Sequence, residues 1–216
     1  MTAAPPPPAP VRSVFGRSVE GRPLRVVRIG RPDAQNRVLV VGVVHGTERA
    51  GRPILAALER RGAPRGTAYW LVPSLNPDGE RRGRRQNAHG VDLNRNFPRA
   101  WRPTGAPGST YYAGPRPASE PETRALMRLV RRVRPTAAVW YHQHLRLVYR
   151  QGGARPGLVA RYARRTGLPL RRSPDLPGTA IRWENALGGT AWVVELAAGT
   201  PTRATVARHV RALRAL

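Results

Sequence analysis

The feature that most constrains the fold is the apolar run Val38-Leu39-Val40-Val41-Gly42-Val43-Val44, which no charged residue interrupts. A run of this length, rich in β-branched residues, is typical of a strand that is buried on both faces. Elements with strand and helix patterns also alternate along the rest of the chain, as they do in α/β proteins. We therefore predict an α/β fold, with a single domain built on a mixed, largely parallel twisted sheet and helices on both faces.

The individual elements follow from hydrophobic periodicity, helix-capping signals and glycine or proline boundaries. The predicted strands are Pro23–Gly30, Arg37–Val44, Thr67–Pro73, Thr136–Tyr141 and Thr190–Leu196. The predicted helices are Pro53–Arg61, a helix that begins after a capping box at Ser119 and ends before Pro135, Gly157–Thr166 and Arg203–Leu216. Residues 76–118 show no periodicity and form a predicted loop, long enough to be either disordered or functional.

Length and composition limit the organisation of the chain. Its 216 residues suffice for one domain, and the Pro/Ala-rich start predicts a flexible lead over residues 1–12, followed by the domain over 13–216. The chain has no Cys, which excludes disulfide scaffolds and thiolate catalysis. No apolar run approaches the ~18 residues of a membrane span. The start lacks a signal-peptide pattern, so we expect a cytoplasmic location as written, or a secreted or wall-associated one if the true start lies upstream.

The formal net charge is +26, from 38 basic and 12 acidic residues, and every basic residue is Arg. Such a charge favours binding to phosphates, but the Arg residues are spread along the whole chain and no helix-turn-helix or aromatic-interleaved pattern accompanies them. We therefore expect a basic, solvated surface and no specific nucleic-acid partner. The alternative, a nucleic-acid or wall-polymer binder on an inactive fold, predicts strongly salt-dependent binding without zinc-dependent turnover. The oligomeric state cannot be predicted.

Chemically active side chains follow three of the predicted strands at the point where each strand ends. His45 comes directly after the strand Arg37–Val44, His142 comes after Thr136–Tyr141, and Glu195 lies at the end of Thr190–Leu196. Ligands of open α/β sheets gather at the carboxyl ends of the strands. Two imidazoles and one carboxylate make a three-ligand catalytic zinc site, and a second carboxylate, Glu48 or Glu195, is then left as a general base.

The residues alone leave one ligand undecided. His142 and His144 are two positions apart, and side chains with that spacing lie on the same face of a strand. A lone His at a strand end is also more often a structural residue than a ligand. His89, in the long loop, and His209, on the last predicted helix, are expected not to bind metal.

Several motifs occur in one order that resembles the zinc carboxypeptidases of the funnelin type. The resemblance runs from Gly16 to about Gly199 and covers most of the chain. Its main motifs are His45-Gly46-Thr47-Glu48, Asn76-Pro77-Asp78-Gly79, Arg85-Gln86-Asn87, Val91-Asp92-Leu93-Asn94-Arg95-Asn96-Phe97, the strand ending at His142, and Val193-Val194-Glu195-Leu196. Within the family, the compact length, Ala118–Thr123 and Gly178-Thr179-Ala180 are most similar to bacterial murein peptide amidases.

The resemblance implies a role for each site residue. His45, Glu48 and His142 would bind one zinc ion, which decides between His142 and His144. Glu195 would act as the general base and return its proton to the leaving amine.

The resemblance also implies the substrate-binding groups. The Arg85 guanidinium would stabilise the oxyanion, and Asn94 and Arg95 would hold the terminal carboxylate of a peptide or murein-peptide substrate. The implied function is that of a zinc exopeptidase or amidase that hydrolyses the amide bond next to this terminal residue. The alternative is a zinc deacylase of the aspartoacylase type, acting on N-acyl amino acids.

The sequence departs from the family at one position. Many members carry a mobile, substrate-capping Tyr some twenty residues before the base. Between Thr166 and Val194 this chain has no Tyr, and its aromatic residues there are Trp183 and Trp192. This difference favours the murein-amidase type of substrate.

Overall fold

The computed structural model describes residues 8–151 and 155–216, and this part of the chain folds around a seven-stranded mixed sheet. The strands are β1 (Val11–Arg17), β2 (Pro23–Ile29), β3 (Asn36–Val41), β4 (Thr67–Val72), β5 (Ala137–Arg150), β6 (Leu170–Arg172) and β7 (Ala191–Ala197). The helices are α1 (Gly51–Arg61), α2 (Pro77–Arg82), α3 (Pro121–Val133), α4 (Pro156–Thr166), α5 (Ala180–Asn185) and α6 (Arg203–Leu213), with a 3₁₀ turn at Leu93–Arg95.

The order of the strands confirms a mixed, largely parallel sheet. It runs β1-β2-β4-β3-β5, with β7 and β6 paired to β5. The β1–β2 and β2–β4 pairs are antiparallel, whereas β3 is parallel to both β4 and β5. The parallel arrangement brings the carboxyl ends of β3 and β7, and the end of the first half of β5, to the same edge of the sheet.

Strand β5 is longer than the predicted strand because the chain bends and continues along β7. Its first half pairs with β7 in parallel register, with His142 opposite Glu195 and the last parallel pair at His144 opposite Ala197. Beyond the bend, β5 runs back along β7 towards its amino end, from Leu147 opposite Glu195 to Arg150 opposite Trp192. Segments of β5 therefore flank β7 on both sides and enclose Glu195.

Helices cover both faces of the sheet, as predicted. In β3, Val38 and Val40 face one apolar core and Leu39 and Val41 face the other, and all four side chains are buried. The first core also contains apolar side chains of α1, α4 and α6, and the second contains those of α3 and α5. The central run is therefore a doubly buried strand because each alternate side chain enters a different core. No helix in the described ranges combines the length and apolar character needed to cross a membrane.

Several boundaries differ from the predictions. Strand β1 begins at Val11, inside the predicted lead 1–12, because residues 11–17 pair with β2; residues 1–7 lie outside the described ranges. Helix α2 lies inside the predicted loop 76–118, since the Asn76 side chain caps it by accepting from the Gly79 amide at 2.9 Å. The predicted capping box at Ser119 is wrong: its hydroxyl donates to the Glu120 carboxylate, and Glu120 precedes α3.

Candidate active site

The carboxyl edge of the sheet brings the predicted site residues together. His45 follows β3, and His142 and Glu195 are directly opposite each other on the neighbouring parallel strands β5 and β7. Paired residues on adjacent strands stand about 5 Å apart and point to the same side of the sheet. The topology therefore places an imidazole and a carboxylate next to each other.

The turn from His45 to Glu48 is compact because it contains Gly46. The amide of Glu48 donates to the His45 carbonyl at 2.9 Å, and the Gly46 amide donates to the Arg85 carbonyl at 3.2 Å. A Cβ atom at Gly46 would overlap backbone atoms of Gly79, Glu80 and Arg84. Only glycine allows this close approach, which brings the turn against α2 and the segment that carries Arg85.

His45, Glu48 and His142 form a buried cluster whose nitrogen and oxygen atoms face one another. His45 Nδ1 lies 2.9 Å from Glu48 Oε1, and His142 Nδ1 lies 3.0 Å from Glu48 Oε2. The two Nδ1 atoms are 3.2 Å apart. One potential ligand atom from each of the three residues lies within 4.8 Å of the others.

Asp92 fixes the orientation and the tautomer of His45. Its Oδ1 lies 2.9 Å from His45 Nε2, and since an ionised carboxylate only accepts, the proton is on Nε2. When the ring is neutral, it presents the Nδ1 lone pair to Glu48 and His142. Metal-bound histidines commonly donate their other ring N–H to a carboxylate in this way.

The donor set fits a zinc ion. Ring lone pairs and a carboxylate that face one another repel unless a proton or a cation lies between them. Tetrahedral ligands at about 2.0–2.1 Å from zinc are roughly 3.4 Å from one another, close to the observed separations. The three side chains would therefore hold the zinc by two nitrogens and a carboxylate.

Burial and neighbouring charge determine the pKa values of the cluster. Burial alone would lower the pKa of His45, but the Asp92 carboxylate raises it above its ordinary value. Burial opposes the charged forms of Glu48 and Asp92, yet hydrogen bonds from His142 and His45 keep the pKa of Glu48 far below its usual range. When His45 is protonated, its charge does the same for the pKa of Asp92. Both carboxylates are therefore ionised at neutral pH.

Arg85 connects the cluster to the loop after α2. Its Nη1 donates to Glu48 Oε1 at 3.0 Å, and its Nη2 donates to Asp92 Oδ2 at 2.9 Å. Its backbone carbonyl accepts from Asn76 Nδ2 at 3.0 Å, so the residue is held at both ends. The predicted oxyanion-stabilising guanidinium thus lies beside the predicted metal ligands.

Asn94 and Arg95 lie in the 3₁₀ turn and line the same cavity. Asn94 Oδ1 accepts from the Ala180 amide at 3.0 Å, and its Nδ2 has no hydrogen-bond partner among the described residues. Arg95 is 7% exposed, and its Nη1 donates to the Asn94 carbonyl at 2.8 Å. A carboxylate bound here would meet an amide N–H group and a planar guanidinium.

The cavity that joins these groups measures about 370 Å³. Its lining residues are His45, Glu48, Arg85, Asn94, Arg95, Tyr111, His142, Gln143, His144, Leu145, Tyr149, Ser173, Pro174, Leu176, Thr179, Ile181, Val193 and Glu195. All seven predicted site residues are among them. The buried Oε2 of Glu195 has no hydrogen-bond partner in the described ranges, which leaves it available to accept a proton.

The remaining histidines lie outside the cluster. His144 is exposed at the wall of the cavity, His89 contacts Glu120, and His209 is buried between helices α4 and α6. The cluster therefore contains His142 rather than His144, and neither His89 nor His209 belongs to it.

Three contributors to the site were not predicted from the sequence: Asp92, Gln143 and Tyr111. The Gln143 amide donates to Glu48 Oε2 at 3.2 Å, and its side-chain Oε1 accepts from the Ala50 amide at 3.0 Å. Of the three, only Asp92 lies within a motif of the family resemblance, Val91–Phe97, so that motif was the one sequence signal that could have revealed a contributor. Neither Gln143 nor Tyr111 interrupts a hydrophobic pattern, so spacing could not reveal them.

Comparison with known proteins agrees with this geometry. Murein peptide amidase A of Escherichia coli K12 is 35% identical over 146 residues, which cover 61% of this chain and 58% of the amidase. Human carboxypeptidase D is 35% identical over 173 residues, 55% of this chain and 12% of that protein. The chain thus spans less than two thirds of the length of these curated relatives.

Solved structures extend the likeness across nearly the whole chain. Murein-tripeptide amidase MpaA from E. coli O157 superposes with a TM-score of 0.80 and 28% identity, over 96% of this chain and 92% of that structure. Carboxypeptidase A from Helicoverpa armigera superposes with a TM-score of 0.80 and 17% identity, over 95% of this chain and 67% of that structure, and shares the fold. The family model for zinc carboxypeptidases matches residues 7–156. The chain therefore belongs to the zinc carboxypeptidase family.

Proposed function

We propose that the protein is a zinc-dependent exopeptidase or amidase that hydrolyses the amide bond next to a carboxylate-bearing terminal residue. The observation that supports this best is the shared cavity of about 370 Å³. It joins the buried His45–Glu48–His142 cluster to two guanidinium groups and to Glu195, whose Oε2 has no hydrogen-bond partner among the described residues. The groups needed for a nucleophile, a proton acceptor and two anion-binding sites thus line one cavity.

The residues of the chain have separate tasks in this reaction. Zinc held by the cluster supplies Lewis acidity, which lowers the pKa of water and polarises the substrate carbonyl. Glu195 accepts a proton from the attacking water and transfers it to the leaving amine. Arg85 donates hydrogen bonds to the oxygen on which negative charge develops.

Asn94 and Arg95 select a chain end over an internal bond. Asn94 Nδ2 and the Arg95 guanidinium would both donate to the terminal carboxylate of the substrate. Binding this group fixes the distance from the chain end to the bond that is cleaved. An internal peptide bond offers no carboxylate at this position, so the exopeptidase activity follows from the pair.

A murein peptide is the substrate that we propose. The support is the likeness to murein peptide amidase A at 35% identity and to the structure of murein-tripeptide amidase MpaA with a TM-score of 0.80. An N-acyl amino acid is the alternative substrate. Assays of a murein tripeptide, a carboxylate-terminated dipeptide and an N-acyl amino acid at equal concentration separate the three classes.

The Glu195→Gln variant tests the assignment of the base. We expect it to retain about one zinc per chain and to lose at least ~10²-fold in kcat, since general base catalysis contributes about 10²–10⁴-fold. Zinc content and hydrolysis are measured on the same preparation. Full activity in this variant would remove Glu195 as the base.

A further inference from the structure

Tyr111 lies in the long connection between the 3₁₀ turn and α3, and it lines the cavity of the site. The residue is 51% exposed, so burial in a core does not explain its position. The inference about Tyr111 rests on the proposed function, because it concerns the groups that would bind the substrate.

The ring of Tyr111 contacts both guanidinium groups of the cavity. The Cζ atom of Arg85 lies over the ring at 5.3 Å from its centroid, and the Cζ atom of Arg95 lies at 5.4 Å. Both distances fall within the ~6 Å at which a cation is attracted by the negative face of an aromatic ring. One side chain thus bridges the proposed oxyanion-stabilising Arg and the proposed carboxylate-binding Arg.

The two cations differ in their other partners. Arg85 donates to the carboxylates of Glu48 and Asp92, whereas the Arg95 guanidinium donates to a backbone carbonyl and forms no ion pair among the described residues. Burial lowers the pKa of Arg95, the nearby Asp92 carboxylate raises it, and the neighbouring charge of Arg85 lowers it. Arg95 is therefore a desolvated cation next to a like charge, for which the Asp92 carboxylate and the face of the Tyr111 ring supply negative potential.

The backbone around Tyr111 is anchored, although it belongs to a loop. The carbonyl of Tyr112 accepts from the Asp92 amide at 2.8 Å, and that of Ala113 accepts from Asn96 Nδ2 at 2.8 Å. Both contacts tie the segment to the 3₁₀ turn that carries Arg95. The backbone next to Tyr111 is therefore fixed relative to the turn that carries Arg95.

We propose that Tyr111 is a positioning residue, whose ring holds Arg85 and Arg95 side by side and facing the cavity. The ring, and not the hydroxyl, carries this role, because both contacts are made by the aromatic face. Loss of the ring leaves both Arg residues free to adopt other rotamers. Binding of the substrate carboxylate through Arg95 then weakens, and oxyanion stabilisation through Arg85 weakens with it.

The test compares Tyr111→Phe, Tyr111→Leu and the control Tyr112→Leu, each with its zinc content and thermal unfolding measured. The substrate is the dipeptide N-acetyl-alanyl-leucine, chosen because Leu145, Ile181 and Val193 give the cavity an apolar wall. Loss of one exposed cation–π contact corresponds to about a twofold to fivefold effect. We expect Tyr111→Leu to raise KM and lower kcat by about that factor each, and Tyr111→Phe and Tyr112→Leu to retain both parameters.

Three results would overturn the proposal. The first is wild-type KM and kcat in a folded, zinc-loaded Tyr111→Leu variant. The second is an equal loss in Tyr111→Phe, which would assign the effect to the hydroxyl. The third is an equal loss in Tyr112→Leu, which would assign it to general support of the loop.

A binding experiment separates this proposal from the proposed function. N-acetyl-leucine and its carboxamide are titrated into each protein, without any need for turnover. We expect Tyr111→Leu to weaken binding of the acid about twofold to fivefold and to leave the carboxamide unchanged. If the wild type hydrolyses nothing, the proposed function fails, while the ratio between acid and carboxamide still supports or overturns the role of Tyr111.

Discussion

Asp92 connects the two halves of the site through one side chain. One of its oxygens lies 2.9 Å from His45 Nε2, and the other accepts from Arg85 Nη2 at 2.9 Å. The same carboxylate thus orients a proposed zinc ligand and a proposed oxyanion-stabilising group. Removal of its charge is expected to disturb both.

The Asp92→Asn variant keeps the shape of the side chain and removes the charge. We expect zinc affinity to fall about 10- to 100-fold, the usual cost of removing the hydrogen-bond acceptor of a metal-bound histidine. Competition with a chelator measures this affinity. Asp33→Asn serves as the control because Asp33 lies on the surface, paired with Arg31. An unchanged affinity in Asp92→Asn would show that His45 is oriented without Asp92.

For individual residues, the sequence predicts those that interrupt a hydrophobic pattern, and it does not reveal those in segments without such a pattern. His45, His142 and Glu195 are visible because each is a polar residue at the end of an apolar strand. Asp92 lies in a polar loop, 47 positions from the His45 ring that it contacts. Tyr111 is one aromatic residue in an aperiodic segment. Their roles depend on contacts between distant parts of the chain, which spacing does not encode.

At the scale of the elements, the turn after β3 depends on the absence of a side chain at Gly46. Gly46→Ala would push the turn away from α2, since the added Cβ meets backbone atoms that cannot rotate aside. We expect a loss of about 1–3 kcal/mol in the free energy of unfolding, the usual range for overpacking. Urea denaturation measures this loss.

Gly157→Ala is the matched control for Gly46→Ala. Gly157 lies in the first turn of α4, and no atom lies within 4 Å of a Cβ placed there. We expect this change to be neutral or stabilising, since Ala favours a helix over Gly by about 0.8–1.0 kcal/mol. Equal destabilisation by the two substitutions would contradict the steric explanation.

A buried hydrogen-bond chain joins α4, α6 and β5. The hydroxyl groups of Tyr141 and Tyr162 are 2.8 Å apart, and the Tyr162 hydroxyl lies 2.8 Å from His209 Nδ1. Burial lowers the pKa of His209 to about 4, and the charge of Arg208 contributes in the same direction. The imidazole of His209 in this hydrogen-bond chain is therefore neutral at neutral pH.

This lowered pKa predicts an acid-dependent loss of stability. In the unfolded chain His209 has a pKa of about 6.5, so it binds a proton below that pH. In the folded protein it binds the proton only near pH 4 and below. The free energy of unfolding thus falls as the pH decreases from about 6.5 to about 4, by up to about 3 kcal/mol from this residue. Denaturation at several pH values tests this, with His209→Gln as the reference that lacks the titrating group.

The difference in the free energy of unfolding between the wild type and His209→Gln isolates the contribution of His209, because both proteins retain every other titrating group. We expect a smaller pH dependence in His209→Gln within this window. Identical slopes would show that His209 does not resist protonation in the folded state.

The elements themselves were predicted where a hydrophobic pattern covers the whole segment. The central strand and four helices agree with the structure to within a few residues. The bend in β5 was not predicted, because its second half has only the alternation of Leu145, Leu147 and Tyr149 and pairs with a strand some 45 residues away. Helix α2 was interpreted as loop because Asn76-Pro77-Asp78-Gly79 has the composition of a turn, although Asn76 caps a helix.

At the scale of the whole molecule, the net charge of +26 surrounds a site that would bind an anionic chain end. A field of this sign raises the local concentration of anionic substrates, and salt screens it. We expect kcat/KM for a peptide with two additional Glu residues to fall as NaCl increases from about 0.01 M to about 1 M, over which the Debye length shortens from about 30 Å to about 3 Å.

The same peptide with two Gln residues in place of Glu is the control for this effect. It retains one terminal carboxylate and is expected to show a weaker salt dependence. Equal salt dependence of the two peptides would show that the charge of the protein does not guide the substrate.

The central claim is that His45, Glu48 and His142 hold one zinc ion at the carboxyl edge of the sheet. Elemental analysis of purified protein tests it most directly, applied to the wild type, to His142→Ala and to the control His144→Ala, which changes an exposed wall residue. We expect about one zinc per chain in the wild type and in His144→Ala, and little or none in His142→Ala. Zinc retained in His142→Ala, or lost in His144→Ala alone, would contradict it.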